Sequence, residues 1–272
     1  MIPRAHITGW RSQAPWPTDA QVEQDLVLTR ALAEIFNRPT ISEAVAFRGG
    51  TALHKLYFER PGRYSEDIDL VQIEAGPIGN VLDAIRERLD PWLGEPRRKQ
   101  GQGRITVMYR FDTTFEPIQQ MRLKIEINSR EHFSVLGLHK RKFIVNSPWY
   151  SDTTDITVYA LEELIATKLR ALYQRKKGRD LYDLWQVLSA EKLNEESVIE
   201  CFQRYIAYGG LKVTRAQFEE NLANKMQDDA FLEDVEPLLP TGVTYQAEAA
   251  YPLVSSRLIA RLPGSPWKGE AL

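Results

Sequence analysis

The sequence predicts an α/β N-terminal domain followed by a helical lobe. Three observations carry that reading. Short apolar strands and amphipathic helices take turns between residues 18 and 150. The segment "MRLKIEINS" alternates strictly, with Met121, Leu123, Ile125 and Ile127 on one face. After the turn-rich stretch "NSPWYSDTTD" (146–155), every apolar pattern has helical spacing. The expected divisions are an arm over residues 1–17, an α/β domain over 18–150 and the helical lobe over 151–272.

Taken in order, residues 1–17 hold three prolines and scattered polar groups, which predicts an irregular arm. Thr18 and Asp19 are N-cap candidates for a helix over "DAQVEQDLVLTRALAEIFN", where Val22, Leu26, Leu32, Ile35 and Phe36 show helical spacing. "EAVAFRGG" reads as a strand ended by glycines, and "TALHKLYFER" as a helix that Thr51 could cap. "DIDLVQI" is the next strand, and "PIGNVLDAIRERLDPWL" a helix with Pro77 near its first turn. "GEPRRKQGQG" is an expected loop before the strands "GRITVMYRF" and "MRLKIEINS", and "KRKFIVN" is a weaker strand. The lobe's helices are "ALEELIATKLRALYQR", "RDLYDLWQVLS", "EESVIECFQRYIAYGG", "RAQFEENLANKM" and "DDAFLEDVEPLL".

Composition excludes several classes. The 272 residues are 43% hydrophobic and 26% charged, as in ordinary globular proteins. The net charge of −2 gives no overall pull toward nucleic acid, so any such affinity must come from local patches. Cys201 is the single cysteine, so an internal disulfide is impossible, and the reading is of a cytoplasmic protein in a reducing compartment. No apolar leader and no run of about 18 apolar residues is present, so no membrane partner is expected. The four histidines show no metal spacing, and there is no Walker-type phosphate loop.

The segment "FRGGTALHKLYFERPGRYSEDIDL" (47–70) carries the chemistry. Strand side chains at i and i+2 share a face, so Asp67 and Asp69 project together while Glu66 points the other way. Two such carboxylates repel unless a proton or cation lies between them. Mg²⁺ (or Mn²⁺) favours a few carboxylates together with phosphate oxygens, and metal ions can clamp the oxygens of an in-line nucleotidyl transfer. A strand, then Gly49 and Gly50, then a helix start would bring backbone N–H groups and the positive end of a helix dipole to phosphates. Each part alone is commonplace: Asp-x-Asp is often a solvated face, and Gly-Gly-Thr a capped turn. Their order in one unit is what makes the segment specific.

"GGTALHKLY" followed by "RYSEDIDL" resembles the nucleotidyltransferase signature of the DNA polymerase β superfamily. It is closer still to the AbiEii-type nucleotidyltransferase toxins of bacterial toxin–antitoxin and abortive-infection systems. "LEELIATKLRALYQRKKGRDLYDLW" resembles that family's second signature, and the matched segments cover roughly a third of residues 44–190. The resemblance implies a polymerase-β-like domain with a mixed sheet, an NTP substrate and a divalent metal ion. It further implies an RNA acceptor, with the tRNA 3′ end the expected target, and a cognate antitoxin protein as partner. Transfer to a protein hydroxyl, or nucleotide binding without turnover, are the alternatives.

The remaining candidates divide between residue chemistry and resemblance. Lys168 falls on the stripe of Leu161, Leu164, Ile165, Leu169 and Leu172, where a lysine either snorkels or meets an anion. The resemblance gives it the triphosphate. By periodicity Asp183 lies away from the stripe of Leu181, Leu184, Trp185 and Leu188, which predicts a solvated side chain. The resemblance instead places it in the cleft with Lys168. Asp180 is expected to pair with Arg179, and Gly178 to cap the preceding helix. Glu126 shares its strand face with Lys124 and Asn128, and the resemblance makes it a third metal-binding carboxylate. Ser65 matches the family's serine, a phosphate contact, a modification point or a turn residue. Arg63 would orient a phosphate or pair with Glu66. Gly49, Gly50 and Thr51 would cradle phosphates. Basic residues cluster at Arg97, Arg98, Lys99 and Arg104, at Lys140, Arg141 and Lys142, and at Arg175, Lys176, Lys177 and Arg179. Such runs are usually solvated, but the third follows Lys168 directly and would suit a basic rim for RNA.

Overall fold

The structure, a computed structural model, describes residues 2–190 and 192–269. It divides into two units, Met1–Tyr159 and Ala160–Leu272.

The first unit opens with a helix where the sequence predicts an irregular arm: α1 (Arg4–Trp10). α2 (Asp19–Phe36) starts in a capping box, with the Thr18 hydroxyl accepting from the Gln21 amide and the Gln21 side chain returning to the Thr18 backbone. The arm is fastened to α2 through one buried carboxylate. Asp25, 1% exposed, accepts from the Trp10 indole at 2.8 Å and the Trp16 indole at 3.1 Å, while the Lys55 ammonium sits at 2.7 Å. Three neighbours thereby satisfy a buried charge that would otherwise be costly.

α3 (Pro39–Ser42) leads to β1 (Val45–Arg48), α4 (Gly49–Leu56), β2 (Asp67–Gln72) and α5 (Gly79–Leu93). Then follow β3 (Arg97–Gly101), β4 (Arg104–Asp112), β5 (Gln120–Asn128), β6 (Leu138–Asn146) and β7 (Ser151–Tyr159). These strands form one mixed sheet in the order β3-β4-β5-β2-β1-β7-β6, with β1–β7 and β2–β5 parallel and the other pairs antiparallel. Phe47, Ile68, Leu70, Ile125, Ile127, Ile105 and Val107 are all buried, and α2 packs on β2, β5, β6 and β7.

Two expectations change here. "GEPRRKQGQG" contains β3, the outer strand of a hairpin with β4. "NSPWYSDTTD" is no boundary: its turn formers close the β6–β7 hairpin, with the Ser147 amide donating to the Tyr150 carbonyl at 3.1 Å. The run that follows, Thr154, Ile156 and Val158, alternates inward as a strand, and Val158 registers with Phe47 of β1. The sheet therefore continues to residue 159, where the first unit ends.

The second unit is helical: α6 (Leu161–Gln174), α7 (Gly178–Ala190), α8 (Glu195–Tyr208), α9 (Arg215–Lys225), α10 (Asp229–Leu232) and α11 (Ala247–Arg257), with 3₁₀ turns at Glu233–Leu238 and Ile259–Arg261. α6 packs on α7 and α8, and α7 on α11. Gly178 begins α7 rather than capping α6, whose C-cap is Arg175. A Cβ at Gly178 would lie 2.0 Å from the Phe231 carbonyl oxygen, so the close approach of α10 requires glycine there. α11 lacks a clear apolar stripe and contains Pro252, which is why helical periodicity does not mark it.

Candidate active site

β2 ends its approach to the sheet with Asp67 and Asp69 half-buried on one face, between the buried Ile68 and Leu70 on the other, and Glu66 exposed just before it. In register, Asp67 stands opposite Lys124 of β5, and Asp69 stands between Glu126 of β5 and Arg48 of β1. α4 starts at this spot. Gly49 has φ +83°, and a Cβ on it would fall 2.3 Å from Asp69 Oδ2. Glycine is thus required twice, for the backbone conformation and for the space that the Asp69 carboxylate fills. The result is a helix N-terminus that its N-cap residue, Arg48, does not cap with its side chain, in contact with a carboxylate.

Gly50 and Thr51 lie buried in the first turn of α4, whose N-cap is Arg48, so Thr51 does not cap the helix. Its hydroxyl bonds the Asp67 carbonyl at 2.5 Å and the Ser65 hydroxyl at 2.7 Å, which pins α4 to the start of β2. Arg63 is 3% exposed and donates to the Tyr64 carbonyl at 3.0 Å. Ser65 and Thr51 therefore act on each other, and Arg63 is folded inward beside them.

Three cations attend the acids. The Lys124 ammonium reaches Asp67 Oδ2 at 3.0 Å and Glu126 Oε1 at 3.4 Å. Arg104 reaches the same Glu126 oxygen at 3.5 Å. Arg48 pairs with Glu131 at 2.5 Å. Burial works against the charge of Lys124, but its bonds to Asp67 and Glu126 outweigh that and hold its pKa above the usual lysine value. The same balance holds for Arg48, where Glu131, Tyr159 and Asp69 overcome burial. Among the described residues, no three His, Cys, Asp or Glu side chains form a group that could hold a metal ion. Asp67 and Asp69, a carboxylate pair on one face, fit a hard divalent cation that takes its other ligands from phosphate and water.

In the second unit Lys168, 6% exposed, meets two anions: Asp183 Oδ2 at 2.7 Å and Asp180 Oδ1 at 3.3 Å. Both aspartates are fully buried, so Asp183 is not the solvated residue that periodicity predicts. Asp180 does not use Arg179. It accepts from Arg175 Nε at 2.6 Å and Nη2 at 2.8 Å, while Arg179 pairs with Asp234 at 3.2 Å. Burial alone would raise the Asp180 pKa, but Lys168 and Arg175 bring it below the usual carboxylate value.

The basic runs have structural explanations that the sequence does not separate. Arg97, Arg98 and Lys99 lie exposed on β3, and Lys140, Arg141 and Lys142 on β6, the two outer strands of the sheet. Charge there discourages edge-to-edge pairing with another chain. Arg141 stacks 4.2 Å over the Tyr57 ring. The third run is neutralised within its own unit: Arg175 by Asp180, Lys176 by Asp228, and Lys177 and Arg179 by Asp234. It is no open basic rim.

Lys124 and Arg48 are the site residues that sequence reasoning passes over. Lys124 sits two residues before Glu126 on the same strand face, a visible signal. Arg48 needs the β1–β2 register, which no local pattern supplies.

The mixed sheet is a fold shared with solved nucleotidyltransferase structures. MenT4, a nucleotidyltransferase toxin from Mycobacterium tuberculosis H37Rv, shares the fold with a TM-score of 0.73 and 19% identity, covering 97% of this chain and 91% of that one. JHP933 from Helicobacter pylori follows at a TM-score of 0.57 and 19% identity, covering 89% of this chain and 92% of its own. Among curated proteins, none matches the chain in sequence. Residues 30–251 match the family described as nucleotidyl transferase AbiEii toxin, type IV toxin–antitoxin system. The chain belongs to that family, and its activity is nucleotidyl transfer. Among the described residues, no helix is long and apolar enough to cross a membrane.

Proposed function

We propose that the protein transfers a nucleotide from an NTP to an RNA acceptor, the tRNA 3′ end, and so blocks translation, with a cognate antitoxin restraining it. The observation that carries the chemistry is the contact between the N-terminus of α4 and the Asp69 carboxylate, with Asp67 on the same strand face. A phosphate-binding helix start and a cation-binding carboxylate pair coincide at one point. Asp67 and Asp69 would hold Mg²⁺ or Mn²⁺. Bound there, the ion supplies charge neutralisation to the triphosphate and acidifies an acceptor hydroxyl.

The chain's own groups do the rest. The first-turn amides of α4 at Gly49, Gly50 and Thr51 orient phosphate oxygens. Ser65 and Arg63 hold the loop that aims β2. The acceptor hydroxyl loses its proton to solvent and attacks the α-phosphorus, the bond from that phosphorus to the α,β-bridging oxygen breaks, and pyrophosphate leaves with the electron pair. An ammonium has three donors. In this reading Asp180 and Asp183 accept two from Lys168, which leaves its third donor for an anionic ligand. Glu126 stands as a further carboxylate beside Asp69. The exposed cations on β3 and β6 support an RNA acceptor, since phosphate contacts dominate such binding.

The test is transfer of label from each of the four NTPs, with Mg²⁺, to total tRNA by the purified protein. Label in tRNA, abolished by Asp69→Ala, is the expected result. Label that moves to a polypeptide, or nucleotide binding without release of pyrophosphate, would replace the RNA reading.

A further inference from the structure

The face of β2 and β5 that carries the acids is arranged as two rows: Asp67 opposite Lys124, and Asp69 opposite Glu126. Three carboxylates therefore stand together, yet they do not form a three-ligand group. A cation stands between two of them. The Lys124 ammonium occupies the space between Asp67 and Glu126, 3.0 Å from one and 3.4 Å from the other. Arg104 holds the same Glu126 oxygen at 3.5 Å.

We propose that Lys124 is a specificity-determining residue of this site: its tethered ammonium stands where a second cation would bridge Asp67 and Glu126, and confines the exchangeable divalent ion to Asp67 and Asp69. This rests on the reading that those two aspartates hold a metal ion. Two-ion phosphoryl and nucleotidyl transfer places a second dication beside the first to clamp both reacting oxygens. A lysine is a compact single charge with three donors and no capacity to coordinate oxygen. It balances part of the acidic charge without adding a Lewis acid. Its side chain is 27% exposed and that of Asp67 35%, so the pair is open to solvent.

The experiment counts ions. Mn²⁺ is titrated into the full chain without nucleotide, and free Mn²⁺ is read by its electron paramagnetic resonance signal. Lys124→Met is expected to bind one more ion per chain than the wild type. Lys124→Arg, which keeps the charge, is expected to match the wild type, and adding Glu126→Gln to Lys124→Met is expected to abolish the gain. Circular dichroism checks folding, and Lys124→Gln replaces the methionine variant if that one does not fold. Equal counts for the wild type and the neutral variant overturn the proposal. If counts are equal while tRNA is still labelled, this inference alone fails. If no variant binds Mn²⁺ and no label moves, the metal reading beneath it fails as well.

Discussion

Two lysines in this chain make nearly the same contacts in different surroundings. Lys124 lies 3.0 and 3.4 Å from Asp67 and Glu126, and Lys168 lies 2.7 and 3.3 Å from Asp183 and Asp180. The side chains of the first trio are 21–35% exposed; those of the second are 0–7% exposed. Water can replace any partner in the first. In the second, burial leaves each charge dependent on its protein partners: Lys168 on both aspartates, and Asp180 on Arg175 as well. Contact geometry alone would rank the trios together. Burial makes one an exchangeable surface and the other a cluster whose members depend on one another.

The largest effect expected from breaking this comparison is on stability. Lys168→Met leaves two buried carboxylates without their shared cation and should cost about 3–5 kcal/mol of unfolding free energy. Lys124→Met should cost no more than about 1 kcal/mol, the range of partly exposed pairs. Urea denaturation of both variants decides it. Similar losses would mean that the burial contrast does not govern these lysines.

How much of this the sequence could show follows the same line. Strand and helix periods expose faces, so the Asp67–Asp69 pair, the apolar side of β5 and the position of Lys168 on a core stripe are legible. Pairings that depend on distant elements are not. Asp183 reads as solvated because its own helix shows only that it leaves the apolar stripe, and the lysine that receives it is on α6. Trp10 and Trp16 sit in a segment with no periodicity, yet both indoles meet on Asp25. The run 151–159 follows such strong turn formers that its β-branched alternation is easily read as part of a linker.

The exchangeable site has its own weak point, which sharpens the comparison at intermediate size. Gly49→Ala places a methyl 2.3 Å from Asp69 Oδ2 and keeps a left-handed φ of +83°. The backbone alone costs about 1–2 kcal/mol, and Asp69 must move as well. Loss of Mn²⁺ binding together with a lower melting temperature is the expected result. Gly79→Ala, at a helix start where a Cβ meets nothing within 4 Å, is the control and should leave both unchanged or slightly improve stability. Unaltered Mn²⁺ binding by Gly49→Ala would separate the helix start from the carboxylate pair.

The smallest effect at neutral pH concerns a third lysine, buried without a carboxylate of its own. Lys225 caps the end of α6, donating to the carbonyls of Leu172 and Tyr173. Burial brings its pKa down to about 8; Asp180 opposes that shift and Lys176 reinforces it. Below pH 8 both the folded and unfolded chains hold this proton, and the folded state bears the full cost of burying the charge. Between about pH 8 and the ordinary lysine value of about 10.4, the unfolded chain still holds the proton and the folded chain has released it. Unfolding then takes up a proton, so stability from this group rises with pH, by at most about 1.4 kcal/mol per unit. Cys201, its thiol pushed up to about 12 by burial, acts in the opposite sense over the same range. Subtracting the pH profile of Lys225→Met from that of the wild type removes the cysteine's share. The difference should grow in favour of the wild type between pH 8 and 10; a flat difference would mean that the carbonyls of α6 solvate the ammonium as well as water does.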